Sequence, residues 1–163
     1  MNMYKFKIIL VAVLTAISLT SFAHEDAINI NFGEPKINHK DEASLQRGAG
    51  YYMNFCSGCH SLKFMRYERM AKDIGITKND GSVAVDVLKD NLMFNADKVG
   101  AHIESSINVI DSAKWFGNLP PDLTLESRAR GEQWLFNYLL GFYRDSNRPW
   151  GVNNVVFPLP LGP

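Results

Sequence analysis

Apolar side chains recur at helical spacing in four stretches of this chain, separated by polar or Gly/Pro-rich segments. The first predicts a helix over residues 42–55, with Leu45, Ala49 and Tyr52 on one face and Asp41 at the cap position. Gly48 and Gly50 are costly inside a helix, so they point to close approach by another backbone. A second helical pattern covers residues 61–76, with Met65, Met70 and Ile74 among charged residues and an end near Gly75. Residues 77–81 read as a turn, and Val83, Val87, Leu88 and Leu92 form a third amphipathic stretch. Residues 93–118 are mixed, and Trp115-Phe116-Gly117 reads as a buried anchor in a loop. Pro120-Pro121 stops any helix before it, and Asp122 is placed to cap a short new one. The strongest helix follows Gly131, where Trp134, Leu135, Tyr138, Leu139 and Phe142 cover one broad face.

The ends behave differently. Residues 24–40 are polar and irregular, with Gly33 and Pro35, and read as an extended arm; Pro149, Gly151, Pro158, Pro160 and Pro163 make the C-terminal stretch a loop. There are no internal repeats and little strand signal, so a small, mostly helical domain is expected. At the N-terminus, Lys5 and Lys7 precede an apolar run over residues 8–19, and Ser21-Phe22-Ala23 offers small residues where a signal peptidase reads them. Residues 1–23 are therefore expected to be a secretory signal cleaved after Ala23. An uncleaved membrane anchor is the competing reading, but twelve residues are few against the roughly 20 of a span.

Composition narrows the function. The 163 residues suit a single domain, and 46% hydrophobic with 12% aromatic content suffices for a core. Basic and acidic residues number 17 each, so nothing in the charge recruits nucleic acid. Removing Lys5 and Lys7 leaves 15 basic against 17 acidic, a net of −2. Only two cysteines are present, Cys56 and Cys59, in the segment Cys56-Ser57-Gly58-Cys59-His60. In an exported protein one such pair cannot staple the domain, which points to chemistry rather than structure. Two thiols three residues apart can add to the two vinyl groups of a haem, and the adjacent imidazole then reaches the iron. A tetrahedral zinc site would need further ligands, and only His24, His39 and His102 remain as histidines. A thioredoxin-type pair would need a βαβ pattern that the chain lacks.

Beyond the motif, the sequence resembles the cytochrome c1 family, the haem-bearing subunits of ubiquinol–cytochrome c reductase. Arg47-Gly48 and Tyr51-Tyr52 lead into the cysteine motif and Ser61-Leu62, with Arg66-Tyr67 after it. Trp115-Phe116-Gly117, Pro120-Pro121-Asp122-Leu123, Arg128-Ala129-Arg130-Gly131, Trp134, Tyr138-Leu139, Phe142-Tyr143 and Asn153-Asn154-Val155-Val156-Phe157-Pro158 follow in family order. The resemblance implies an all-α fold, a class I cytochrome c-like helical haem domain with irregular loops over residues 24–163. It implies one covalent haem c on Cys56 and Cys59, with His60 as iron ligand. By family match Pro121 packs near the haem and Arg130 pairs with a propionate; their bland alternatives are a helix start and a decorated surface turn. The implied role is an electron-transfer subunit rather than an enzyme on its own. It lies on the periplasmic side of a bacterial inner membrane, with a Rieske iron–sulfur protein as donor, a soluble cytochrome c as acceptor and cytochrome b as membrane partner. Membrane association comes through the complex or an uncleaved N-terminus.

The chain departs from the family after Pro158, where a Met-Pro segment carrying the axial Met and a C-terminal membrane helix are expected and Leu159-Pro160-Leu161-Gly162-Pro163 stands instead. A truncated or frameshifted family member is the expectation. Of the six methionines, Met1 and Met3 belong to the signal segment, and Met53, Met65, Met70 and Met93 match no ligand position. Met65, Met70 and Met93 are expected as core filling, and no sixth iron ligand is assigned. The alternative functions are a soluble periplasmic monohaem cytochrome, or an open-site haem protein that binds small ligands.

Overall fold

Asp41 starts the first helix as its position predicts: its Oδ1 accepts the Ser44 N–H at 3.0 Å, and α1 (Glu42–Phe55) follows. The structure is a computed structural model that describes residues 30–157. The expected signal and its cleavage site, the first residues of the arm, and the C-terminal prolines from Pro158 lie outside the described residues. In chain order come β1 (Leu62–Arg66), α2 (Tyr67–Asp73), α3 (Val85–Leu92), β2 (His102–Ile103), α4 (Val109–Phe116), α5 (Glu126–Arg130), α6 (Glu132–Leu140), β3 (Phe142–Arg144) and β4 (Val152–Asn154). The described residues are mostly helical, and the all-α expectation needs two small two-stranded antiparallel sheets added, β1–β2 and β3–β4.

The main core lies between α1, α2 and α3. Met53, Tyr67, Met70, Ala71, Ile74, Leu88 and Leu92 are buried there, with Ile76, Val83, Met93 and Ile103 beside them. Met65 packs against this core from outside, so the methionines fill space as expected. Gln46 Nε2 donates to the Ile74 carbonyl at 2.9 Å and ties α1 to the end of α2.

Four sequence expectations are corrected. Residues 62–66 are a strand, because the Tyr67 and Glu68 N–H groups turn to Ala101 O and Val99 O while the Lys63 and Phe64 N–H groups turn to a facing loop. These tertiary partners replace the helical bonds, so the helix runs only from Tyr67 to Asp73. Trp115-Phe116 is not a buried loop anchor but the end of α4, with Trp115 58% exposed and Gly117 closing the helix at φ 76°. Gly48 and Gly50 have open space where a Cβ would stand, so no described backbone approaches them closely. Finally, α6 is shorter than its apolar run: Leu139 is exposed, Phe142 has passed into β3, and the buried position is Asn137.

Around α6 the packing is aromatic. Trp134 stacks on Tyr138 at 5.0 Å, and Tyr138 meets Phe142 edge-on at 5.2 Å. The arm is anchored here, since Phe32 N–H donates to Asn137 Oδ1 and Gln133 Nε2 donates to Gly33 O.

Candidate functional site

Helix α1 delivers the chain to the cysteine motif and stops there. The Cys56 and Ser57 N–H groups both reach back to Tyr52 O, and the Cys59 and His60 N–H groups then turn onto Cys56 O. Ser57 is buried with its hydroxyl on Met53 O at 2.8 Å. That inward residue leaves Cys56 half-buried and Cys59 exposed, both as free thiols. Burial pushes the Cys56 thiol above its ordinary value.

The imidazole of His60 is oriented from across the site, with Nδ1 2.8 Å from the Pro121 carbonyl oxygen. A carbonyl can only accept, so Nδ1 carries the proton and Nε2 keeps its lone pair. Histidines that bind a metal commonly show this tautomer, with the far ring nitrogen donating to a carbonyl. The main chain around the ring is held at several points. Tyr52 Oη donates to His60 O at 2.6 Å, Ser105 Oγ to Gly58 O at 2.7 Å, and Leu123 N–H to Ser61 O at 2.9 Å. Ser105 N–H also donates to Ser61 Oγ at 2.8 Å. Asp122 does not cap a helix: its Oδ2 accepts from Lys63 N–H at 2.8 Å and its Oδ1 from Thr124 N–H at 3.0 Å, while α5 begins at Glu126 without a side-chain cap.

Electrostatics agree with this packing. Burial, then the neighbouring Cys56, Asp122 and Tyr67, push the Tyr52 phenol above the usual tyrosine value, so it remains a donor. Burial pushes Asp122 up, but hydrogen bonds from Thr124 and Lys63 outweigh it and hold the carboxyl below its ordinary value.

These residues fit a covalently held haem. Two accessible thiols sit one turn apart, and an imidazole with a free Nε2 follows at once. Phe64 is 74% exposed, and Leu119 and Leu125 are exposed on the segment that carries the Pro121 carbonyl. Among the described residues no three His, Cys, Asp or Glu side chains gather as a metal cage.

The remaining predicted residue lies apart from this frame in its contacts. Arg130 Nε is bonded to Glu126 Oε2 at 2.7 Å, and its guanidinium lies 4.4 Å over Trp134 and 5.6 Å from Phe157. The contacts of Tyr52, Ser57, Ser105 and Asp122 were not foreseen. Tyr52 and Asp122 stand in the motif blocks, but spacing assigns them only a helix face and a cap; Ser105 carries no sequence signal.

Comparison with known proteins agrees with the motif blocks. The Cytochrome C1 family model matches residues 33–157. The chain is 51% identical over 123 residues to cytochrome c1 of Allochromatium vinosum, covering 76% of this chain and 48% of that protein. It is 35% identical over 158 residues to a Nitrosomonas europaea protein named ammonia monooxygenase gamma subunit, covering 96% of this chain and 62% of that one. The chain therefore spans less than two thirds of the length of either relative.

Proposed function

The chain belongs to the cytochrome c1 family, and on that premise we propose that it holds one covalent haem c and works as an electron-transfer subunit. Cys56 and Cys59 supply the thioether attachments and His60 Nε2 the proximal iron ligand. The observation that carries this reading is the 2.8 Å contact of His60 Nδ1 with Pro121 O beside the two cysteines, which form no disulfide. The bound haem supplies one-electron chemistry at a potential set by axial ligation and burial. The protein's own task is to orient the imidazole, keep its Nδ1 proton on a carbonyl, and present the exposed apolar edge of the loop from Leu119 to Leu125. In this reading Pro121 supplies that carbonyl beside the haem, and Arg130 is the cation for a propionate. A guanidinium suits a carboxylate fork, and Arg130 would have to leave Glu126 to offer its full fork.

Family membership supports the finer roles in this reading. Electrons come from a Rieske iron–sulfur protein and pass to a soluble cytochrome c, with cytochrome b as the membrane partner. Residues 1–23 act as the export signal and residues 24–163 form the haem domain, on the periplasmic side of a bacterial inner membrane. No helix among the described residues is long and apolar enough to cross a membrane.

A pyridine haemochrome assay tests the reading on the full chain, made in a host that matures c-type cytochromes. Haem that stays with the parent after acid–acetone extraction, and is lost in a Cys56→Ala/Cys59→Ala variant, is the expected result. A colourless parent overturns it.

A second reading is a haem protein whose sixth position is open to small ligands. Among the described residues, Met53, Met70 and Met93 are buried in the core and Met65 packs against it. The red-region band of Met-ligated ferric iron separates the two: its presence supports the electron carrier, and its absence together with carbon monoxide binding supports the open site.

A further inference from the structure

We propose that Tyr52 and Asp122 are positioning residues for the His60 imidazole, one acting from the helix and one from the facing loop. The inference rests on the proposed haem site but concerns groups outside the attachment motif. Tyr52 lies on α1, four residues before Cys56, and its hydroxyl spans the turn to donate to His60 O at 2.6 Å. That bond fixes the peptide plane leaving His60 to a rigid helix. On the other side, the ring proton of His60 rests on Pro121 O, and the next residue is Asp122. The Asp122 carboxylate accepts from Lys63 N–H at 2.8 Å and Thr124 N–H at 3.0 Å, and Leu123 N–H donates to Ser61 O at 2.9 Å.

The loop that carries the accepting carbonyl is thus tied, through Asp122 and Leu123, to residues 61 and 63 just after His60. Tyr52 holds the histidine to the helix, and Asp122 holds the carbonyl's loop to the strand that follows the histidine. Neither side chain contacts the ring; both act through the main chain. A hydrogen bond of this kind weakens steeply with misalignment, so losing either support lengthens or tilts the Nδ1–Pro121 contact. The imidazole then becomes a poorer donor, which favours the reduced iron and raises the reduction potential.

The test uses haem-loaded full-length protein with Tyr52→Phe, Asp122→Asn and, as a control, Tyr67→Phe. Tyr67 is a core tyrosine that neighbours Tyr52 but bonds the Asn95 backbone, so its hydroxyl holds neither His60 nor the loop of Pro121. Two readouts are taken: the reduction potential, and the exchange rate of the His60 Nδ1 proton in the reduced protein by NMR. Tyr52→Phe and Asp122→Asn should each raise the potential and speed that exchange about fivefold, roughly the ratio for one net hydrogen bond. Tyr67→Phe should move neither, although it lowers stability. Haem-loaded variants that keep the parental potential and exchange rate overturn the inference, and so does a Tyr67→Phe effect of equal size. Should Tyr52→Phe fail to accumulate, Asp122→Asn decides with the same readouts. A parent lacking covalent haem overturns the proposed function and this inference together, whereas a loaded parent with unresponsive variants overturns this inference alone.

Discussion

Asn154 shows how much one side chain can hold in this chain. It is 1% exposed; its Nδ2 donates to Tyr138 O at 2.8 Å, and its Oδ1 accepts from Val156 N–H at 2.9 Å and Phe157 N–H at 3.2 Å. The amide therefore closes the end of α6 against the turn after β4. Gly141 is required beside it, since a Cβ there would stand 2.9 Å from both Asn137 O and Asn154 Oδ1. Asn154→Ala would leave the Val156 and Phe157 N–H groups without their partner, while Tyr138 O keeps the Gly141 N–H, a loss of about 2 kcal/mol by urea unfolding. A loss below about 0.5 kcal/mol would mean that water replaces the amide readily. The sequence marks Asn153-Asn154 only as part of a motif block. Its role was illegible because an asparagine pair has no periodicity, and its partners, Tyr138 and Phe157, are set by the hairpin register. His60 is the opposite case: the adjacent cysteines announce its chemistry, yet only the fold supplies the Pro121 carbonyl.

Among the elements, α1 was readable because local signals agree: a capping Asp41, an apolar stripe, and an end at the motif. The 62–66 strand was not, because a five-residue segment with two partly buried positions satisfies a helical pattern equally well. Its strand state comes from residues 99–103 and 122–124, which are distant in sequence. Helix α4 lies between these cases. Asn108 Oδ1 caps it by accepting from Ile110 N–H at 2.9 Å and Asp111 N–H at 3.1 Å, and Ser112 is its buried residue. Val109, Ile110 and Trp115 are largely exposed, so tertiary packing adds little and the cap matters more. Asn108→Ala should cost about 1 kcal/mol and appear locally. Hydrogen exchange should quicken at residues 110–117 and stay at the parental rate in α1. Uniform acceleration across both helices would instead make α4 part of one cooperative unit with the core.

Across the whole molecule, the ionisable groups set a stability plateau with two different edges. Glu68 is held below its ordinary value by Lys72, Asp80 by Ser82 and Asp145 by the Asn147 N–H, while Asp122 is lowered by Thr124 and Lys63 despite its burial. A carboxyl depressed in the fold stabilises it above the unfolded value and loses that contribution as pH falls through the folded one. Glu68, Asp80 and Asp145 lie at the surface, where solvent screens each pair. Asp122 is the one whose protonation also loosens the loop behind His60, so acid should be felt at the motif as well as at the surface. At the alkaline edge, burial raises Tyr52, Tyr67 and Tyr138 above the usual tyrosine value. Above about pH 10 the unfolded chain loses these protons first, so the native state weakens as pH rises further. Thermal unfolding midpoints should therefore be nearly flat from about pH 5 to 9 and fall on both sides, below about pH 4 and above about pH 10. Asp122→Asn should flatten the acid edge more than Asp80→Asn does. Equal flattening by the two would place the acid sensitivity in surface charge rather than in the frame around His60.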